Sequence, residues 1–166
     1  MSFMSIGFSG SFGSSRMCSQ SDHPLAPWYV AGLAFECSQC GRCCAGPEEG
    51  YVWLTEAEII AIAAHLGMDP AEVRKRYVRK AEGRYSLREV PRSHDCVFLT
   101  ADQGNGRGCR IYPVRPAQCR TWPFWDANLQ DPTSWTLANL RCKGINRGRR
   151  FSFEEIELRR RATHAR

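Results

Sequence analysis

The stretch Phe35-Glu36-Cys37-Ser38-Gln39-Cys40-Gly41-Arg42-Cys43-Cys44-Ala45-Gly46 holds four thiols within eight residues, two of them neighbours. Packing gives no reason for that density, because a free cysteine is only a small hydrophobe that other residues replace. Convergent sulfur does give a reason. A Cys-x-x-Cys step turns two thiolates onto one soft metal ion, and Gly41 and Gly46 supply the backbone freedom of a tight ligand loop. A disulfide nest and a thioredoxin-like redox pair compete with this reading, and the spacing together with the redox compartment places metal binding ahead of both. Side chains on consecutive residues tend to diverge, so Cys43 and Cys44 are poor terminal ligands for one ion. Either one is a spectator, or one bridges, or the two serve different centres. Four more cysteines, Cys96, Cys109, Cys119 and Cys142, raise the set to eight. Eight divides into two four-sulfur sites, which favours the last option. His94 is a candidate substitute ligand two residues before Cys96, with an ordinary turn position as the plainer reading.

The compartment follows from what the chain lacks. The first residues, Met1 to Ser21, carry eight serines and no continuous apolar block, a poor secretory signal, and no run is long enough for a membrane span. Nine cysteines without export imply a reducing, cytoplasmic setting where structural disulfides rarely persist, and the odd count agrees. The net charge of +6 is local. Residues 1–140 balance at 14 basic and 14 acidic side chains, and the excess lies from Arg141 onward. Eight thiolates on two divalent ions would remove four charges, so the basic balance argues only weakly for an anionic partner.

The length of 166 residues predicts one small α+β domain, irregular and metal-stabilised, with a few helices and a β-hairpin around the cysteine cluster. Residues 1–30 read as a disordered Ser/Gly-rich tail containing Cys18, with Met17 as an alternative start. Residues 31–146 read as the metal-binding domain and 147–166 as a basic C-terminal helix or tail. Thr55-Glu56-Ala57-Glu58 is a capping box, with Ile59, Ile62, Ala63 and Leu66 on one stripe and Gly67 as the stop. Asp69-Pro70 starts a second helix with Val73, Tyr77 and Ala81 on its inner face. His65 reads as an ordinary surface or boundary residue. Tyr85 to Val90 alternates as a strand. Cys96–Thr100 and Cys109–Tyr112 form a hairpin across a turn-rich 102–108 loop, each arm opening on a cysteine. Arg115 to Arg120 reads as a short helix carrying Cys119. Trp122, Phe124, Trp125 and Trp135 are packing aromatics able to wall a centre from water. Ser152 and Glu155 cap a last helix ending in Arg159-Arg160-Arg161, whose charge complements the helix dipole.

Taken together, Phe35-x-Cys37-x-x-Cys40-Gly41-x-Cys43-Cys44, Cys96-x-Phe98-Leu99, Cys109-x-Ile111-Tyr112-x-x-Arg115-Pro116-x-x-Cys119-Arg120-x-x-Pro123 and the late Cys142 resemble the bacterial CxxCxxCC family, often called YkgJ-like. The match covers about residues 35–142. The resemblance implies chelation of zinc or iron without an agreed physiological role. A related cysteine cluster in flagellin lysine methylases implies an iron–sulfur centre. This chain shows no glycine-rich cofactor loop to carry that chemistry over, and its long Asp102–Gly108 loop and its leader depart from the pattern.

Neither metal template fits cleanly. Structural zinc sites draw on two Cys-x-x-Cys knuckles, and only one is present. The ferredoxin triplet expects Cys-Pro three residues on, where Cys44 here is immediate. Arg42, Arg110, Arg120, Arg141 and Lys143 each flank a cysteine, and their charge would lower thiol pKa values for either metal. The dispersed ligands and aromatic surround lean toward iron–sulfur. The expected function is therefore metal binding, zinc or an iron–sulfur cluster, through up to eight cysteines. A redox or methyl-transfer enzyme on an iron–sulfur centre is one alternative, and a nucleic-acid-binding module using the basic C-terminus is another. The sequence defines no triad, phosphate loop or paired-carboxylate site.

Overall fold

The computed structural model describes residues 26–100 and 107–164. The serine-rich leader with Cys18 and Met17, and most of the 102–108 loop, lie outside the described residues. Two hydrophobic cores divide the chain between them. One gathers Tyr29, Leu33, Phe124, Leu129, Trp135, Ala138, Ile145, Phe151 and Ile156, with Cys142 packed against it. The other gathers Leu54, Ile59, Ile62, Ala63, Val73, Val78, Leu87, Phe98 and Ile111, with Cys96 and Cys109 against it. Cysteines thus edge both cores.

The second core is built on a three-stranded antiparallel sheet. Its central strand β4 (Arg84–Leu87) lies between β2 (Trp53–Leu54) and β3 (Val78–Ala81). Helix α1 (Glu56–Leu66) starts at the predicted capping box. Thr55 Oγ1 accepts from Glu58 N, and Glu58 Oε2 accepts from Thr55 N. It ends at Gly67, whose φ of 63° is the left-handed stop that glycine takes without strain. Ile59 and Ile62 are fully buried, each worth about 1.5–3 kcal/mol of apolar burial. Helix α2 (Pro70–Tyr77) starts as predicted, with Asp69 Oδ1 accepting from Ala71 N.

That helix stops four residues sooner than its inner-face pattern predicts, and Ala81 belongs to β3 instead. β-branched Val78 leaves the helix, and Glu82-Gly83, both left-handed (φ 51° and 73°), make the two-residue turn that returns the chain into β4. The hairpin after Cys96 also shrinks. Only β5 (Leu99–Thr100) and β6 (Gly108–Cys109) pair, and Tyr112–Val114 forms a 3₁₀ turn. Cys96 precedes β5 and bridges to Glu89. The first core is tied by β1 (Leu33–Phe35) against β7 (Ile145–Phe151), whose pairing bulges where Asn146 and Gly148 take positive φ. Strand β7 runs across position 147, and α6 (Phe153–His164) follows it and buries Ile156 in the first core. The helix α3 (Ala117–Thr121) precedes α4 (Asp126–Leu129) and α5 (Pro132–Arg141), which bury Leu129, Trp135 and Ala138 in the first core. No helix among the described residues is long and apolar enough to cross a membrane.

Candidate metal centre

The four-thiol stretch folds as a loop with one 3₁₀ turn, Arg42–Cys44. Gly41 enters it at φ 68°, and its missing side chain leaves room for Leu99. Gly46 is required for a different reason from the backbone freedom expected of it. A Cβ there would run into the carbonyl oxygen of Ser93, and Gly46 N donates to Asp95 Oδ1 at 3.0 Å. The loop is thereby pressed onto the 91–95 turn. Cys96 N then donates to Cys44 O at 2.7 Å, which sets the second set of cysteines against the first.

Cys119 arrives on α3, which Pro116 starts. Helix α3 is tied to the other core through Glu58 Oε1, which accepts from Ala117 N at 2.6 Å, and through Gln118 Oε1, which accepts from Trp53 N at 2.9 Å. Cys142 caps the end of α5, and Arg141 donates to the Ala45 carbonyl. These ties bring all eight cysteines, Cys37, Cys40, Cys43, Cys44, Cys96, Cys109, Cys119 and Cys142, to the wall of one cavity of about 50 Å³. Phe35, Leu87, Ile111, Pro116 and Trp122 complete it, with no carboxylate among its described lining residues. None of the eight is in a disulfide.

Cys43 and Cys44 do not diverge. Their sulfurs stand 3.8 Å apart. The neighbouring Cys44 thiol pulls both Cys43 and Cys109 down to about 7. The Cys44 thiol itself is pushed strongly up by the same two contacts, with Cys109 the larger. Burial pushes Cys96 up to about 11 and Cys119 higher still. The nearby cation that opposes this is Arg115, which helps lower Cys43 and Cys109. Of the basic residues beside cysteines, Arg42 also lines the cavity, whereas Arg110 lies over the Tyr77 ring, Arg120 donates to Arg115 O at 2.5 Å, and Arg141 takes Ala45 O. Arg115 lines the cavity with its guanidinium carbon 3.6 Å from the Tyr112 ring centroid and its Nε donating to Tyr112 O at 3.0 Å. Tyr112 and Cys37 line the same cavity, and burial first, then Cys37, pushes the Tyr112 hydroxyl up. The sequence signal for Arg115 is its place in the family pattern, before Pro116.

A second cavity of about 240 Å³ shares Cys43, Cys44, Cys96 and Cys119 with the first, and Glu89, His94, Gln118, Trp122 and Trp125 also line it. His94 sits in the turn at φ 53° with Nδ1 3.6 Å from Glu89 Oε2, bordering this space but not the cavity of eight sulfurs. His65 is exposed, its Nε2 3.2 Å from Arg110 O. The Trp122 Nε1 donor is buried without a partner among the described residues.

The donor set suits a soft ion, because thiolates select zinc and iron where calcium and magnesium require oxygen. No three Cys, His, Asp or Glu side chains among the described residues are grouped closely enough to hold an ion between them. The sulfurs wall one space without closing a coordination shell. Comparison with known proteins agrees with the chemistry. The model of a family named CxxCxxCC, described as "Putative zinc- or iron-chelating domain", matches residues 36–143. An uncharacterised protein of Methanocaldococcus jannaschii is 37% identical over 97 residues, which are 58% of this chain and 48% of that protein. The chain thus spans about half the length of that relative. No solved structure matches the chain.

Proposed function

Since the chain belongs to the CxxCxxCC family, we propose that its eight cysteines bind zinc or an iron–sulfur centre at the seam between the two hydrophobic cores. One observation carries this reading: eight thiols from five separate parts of the chain line a single cavity. Burying several thiols side by side is unfavourable as they deprotonate, since each raises the pKa of the next. An ion that takes up their charge reverses the sign of that term. Bound there, the metal supplies a cross-link between the cores. The protein's own residues present the sulfurs, exclude water with Phe35, Ile111 and Trp122, and offset charge with Arg115.

Elemental analysis with an ultraviolet–visible spectrum of anaerobically purified chain tests the reading. Zinc in a colourless protein assigns a structural role, and iron with sulfide and broad visible absorption assigns a cluster. A chain with neither metal overturns the proposal.

The second cavity favours one further reading, an iron–sulfur redox or methyl-transfer enzyme. A space of about 240 Å³ touching Cys43, Cys44, Cys96 and Cys119 would let a small substrate reach the centre. That reading requires a visible chromophore. Nothing comparable favours nucleic acid, and several of the described C-terminal arginines have partners within the chain. Arg149 pairs with Glu155, Arg150 donates to Gly32 O, and Arg160 pairs with Glu157 and Asp126.

A further inference from the structure

The neighbours Cys43 and Cys44 are the pair whose partnership bears most on how the sulfurs are shared out. Two thiolates bound to one tetrahedral ion at about 2.3 Å stand about 3.8 Å apart, the edge of the tetrahedron. The observed separation of 3.8 Å already has that value. Their position at the end of a single 3₁₀ turn, closed by Cys44 N donating to Gly41 O at 2.9 Å, holds the two sulfurs together without help from a distant segment. Cys109, on β6, lines the same cavity.

From this we infer that Cys43 and Cys44 act as one vicinal chelate on a single ion and are not divided between two centres. The inference rests on the metal-binding reading above and deepens it. The ligand class is a soft, thiophilic ion that accepts two sulfurs from consecutive residues, and Cys43 is exposed to receive it. The same geometry fits a trivalent arsenical. Phenylarsine oxide closes a ring on two thiols: two As–S bonds form, the two thiol protons and the oxide oxygen leave as one water, and arsenic stays trivalent.

The test is zinc content of the full chain, loaded anaerobically, in Cys43→Ser, Cys44→Ser and the double variant. A shared ion is lost equally from all three, and the double variant loses no more than either single one. The inference is overturned if either single variant keeps the wild-type complement, or if the double variant loses one ion more than the singles. Where a variant fails to fold, the wild-type chain gives the answer by phenylarsine oxide titration. One adduct per chain, mapped to Cys43 and Cys44 by peptide mass with release of one equivalent of zinc, supports the chelate. Adducts on other cysteine pairs with the zinc retained overturn it. A wild-type chain that takes up no metal fails the metal-binding reading itself, and is thereby distinguished from failure of the pairing.

Discussion

A guanidinium and a missing methyl group show how single residues shape the site. Arg115 is a cation placed among the sulfurs, held by its stack on Tyr112, and no carboxylate pairs with it among the described ion pairs. Its charge remains available to the thiolates. Groups that orient or support metal ligands are commonly worth 10–100-fold in affinity. Arg115→Met is therefore expected to weaken zinc binding by roughly 10–100-fold in a chelator competition, with Arg115→Lys recovering part of the loss. Equal affinities for all three chains would remove Arg115 from the account. At Gly46 the added methyl of Gly46→Ala meets backbone, which cannot swing aside. Destabilisation of about 1–3 kcal/mol is expected, measured by urea denaturation, because the loop carrying Cys43 and Cys44 must lift off the 91–95 turn.

Among the elements, α1 has two tasks and α6 has one that depends on pH. Glu58 closes the capping box with one carboxylate oxygen and accepts from Ala117 N with the other, joining α1 to the helix that carries Cys119. Thr55→Ala removes only the cap, at a cost of about 1 kcal/mol. Glu58→Ala also strands the Ala117 amide and is expected to cost about 2–4 kcal/mol. Equal costs in a denaturant titration would mean the tie to α3 contributes nothing. On α6, Glu157 accepts from Tyr29 and from both arms of Arg160, and the Arg160 bonds hold its carboxyl below its ordinary value near 4.5. A depressed carboxylate stabilises the fold fully above that ordinary value and loses its contribution as pH falls through the folded one. Glu157→Gln should therefore melt below the parent at pH 7, and the gap should narrow steadily below about pH 4.5. A gap that is constant with pH would show that the charge is immaterial there.

For the whole molecule, the sulfur cavity lies where two modest cores meet, with Cys142 on one and Cys96 and Cys109 on the other. Metal binding to structural thiolate sites is worth about 10–16 kcal/mol, while a small domain's net stability is about 5–15 kcal/mol. Stripping the metal with a chelator is thus expected to unfold residues 35–142. Both cores should lose hydrogen-exchange protection together, α1 reporting one and α5 the other. A stripped chain that melts at the parent temperature would mean that apolar contacts and hydrogen bonds such as those of Glu58 and Gln118 hold the seam without metal.

Local chemistry made much of this legible in the amino-acid sequence. The caps at Thr55, Asp69 and Ser152, the stop at Gly67, the short helix bearing Cys119 and the family pattern all depend on residues within a few positions of one another. Long-range pairing was not legible. Helix α2 gave way to β3 because Val78 to Ala81 find partners on β4, and the three residues of β1 are a strand only because β7 lies beside them, more than a hundred residues later. The same holds at the centre. Spacing named the eight sulfurs, but that Cys43 and Cys44 point together, that Arg115 supplies a cation, and that all eight face one cavity depend on where separate segments of chain meet. Periodicity and capping act over one or two helical turns, whereas the shape of a cavity is set by side chains whose contact no local preference encodes.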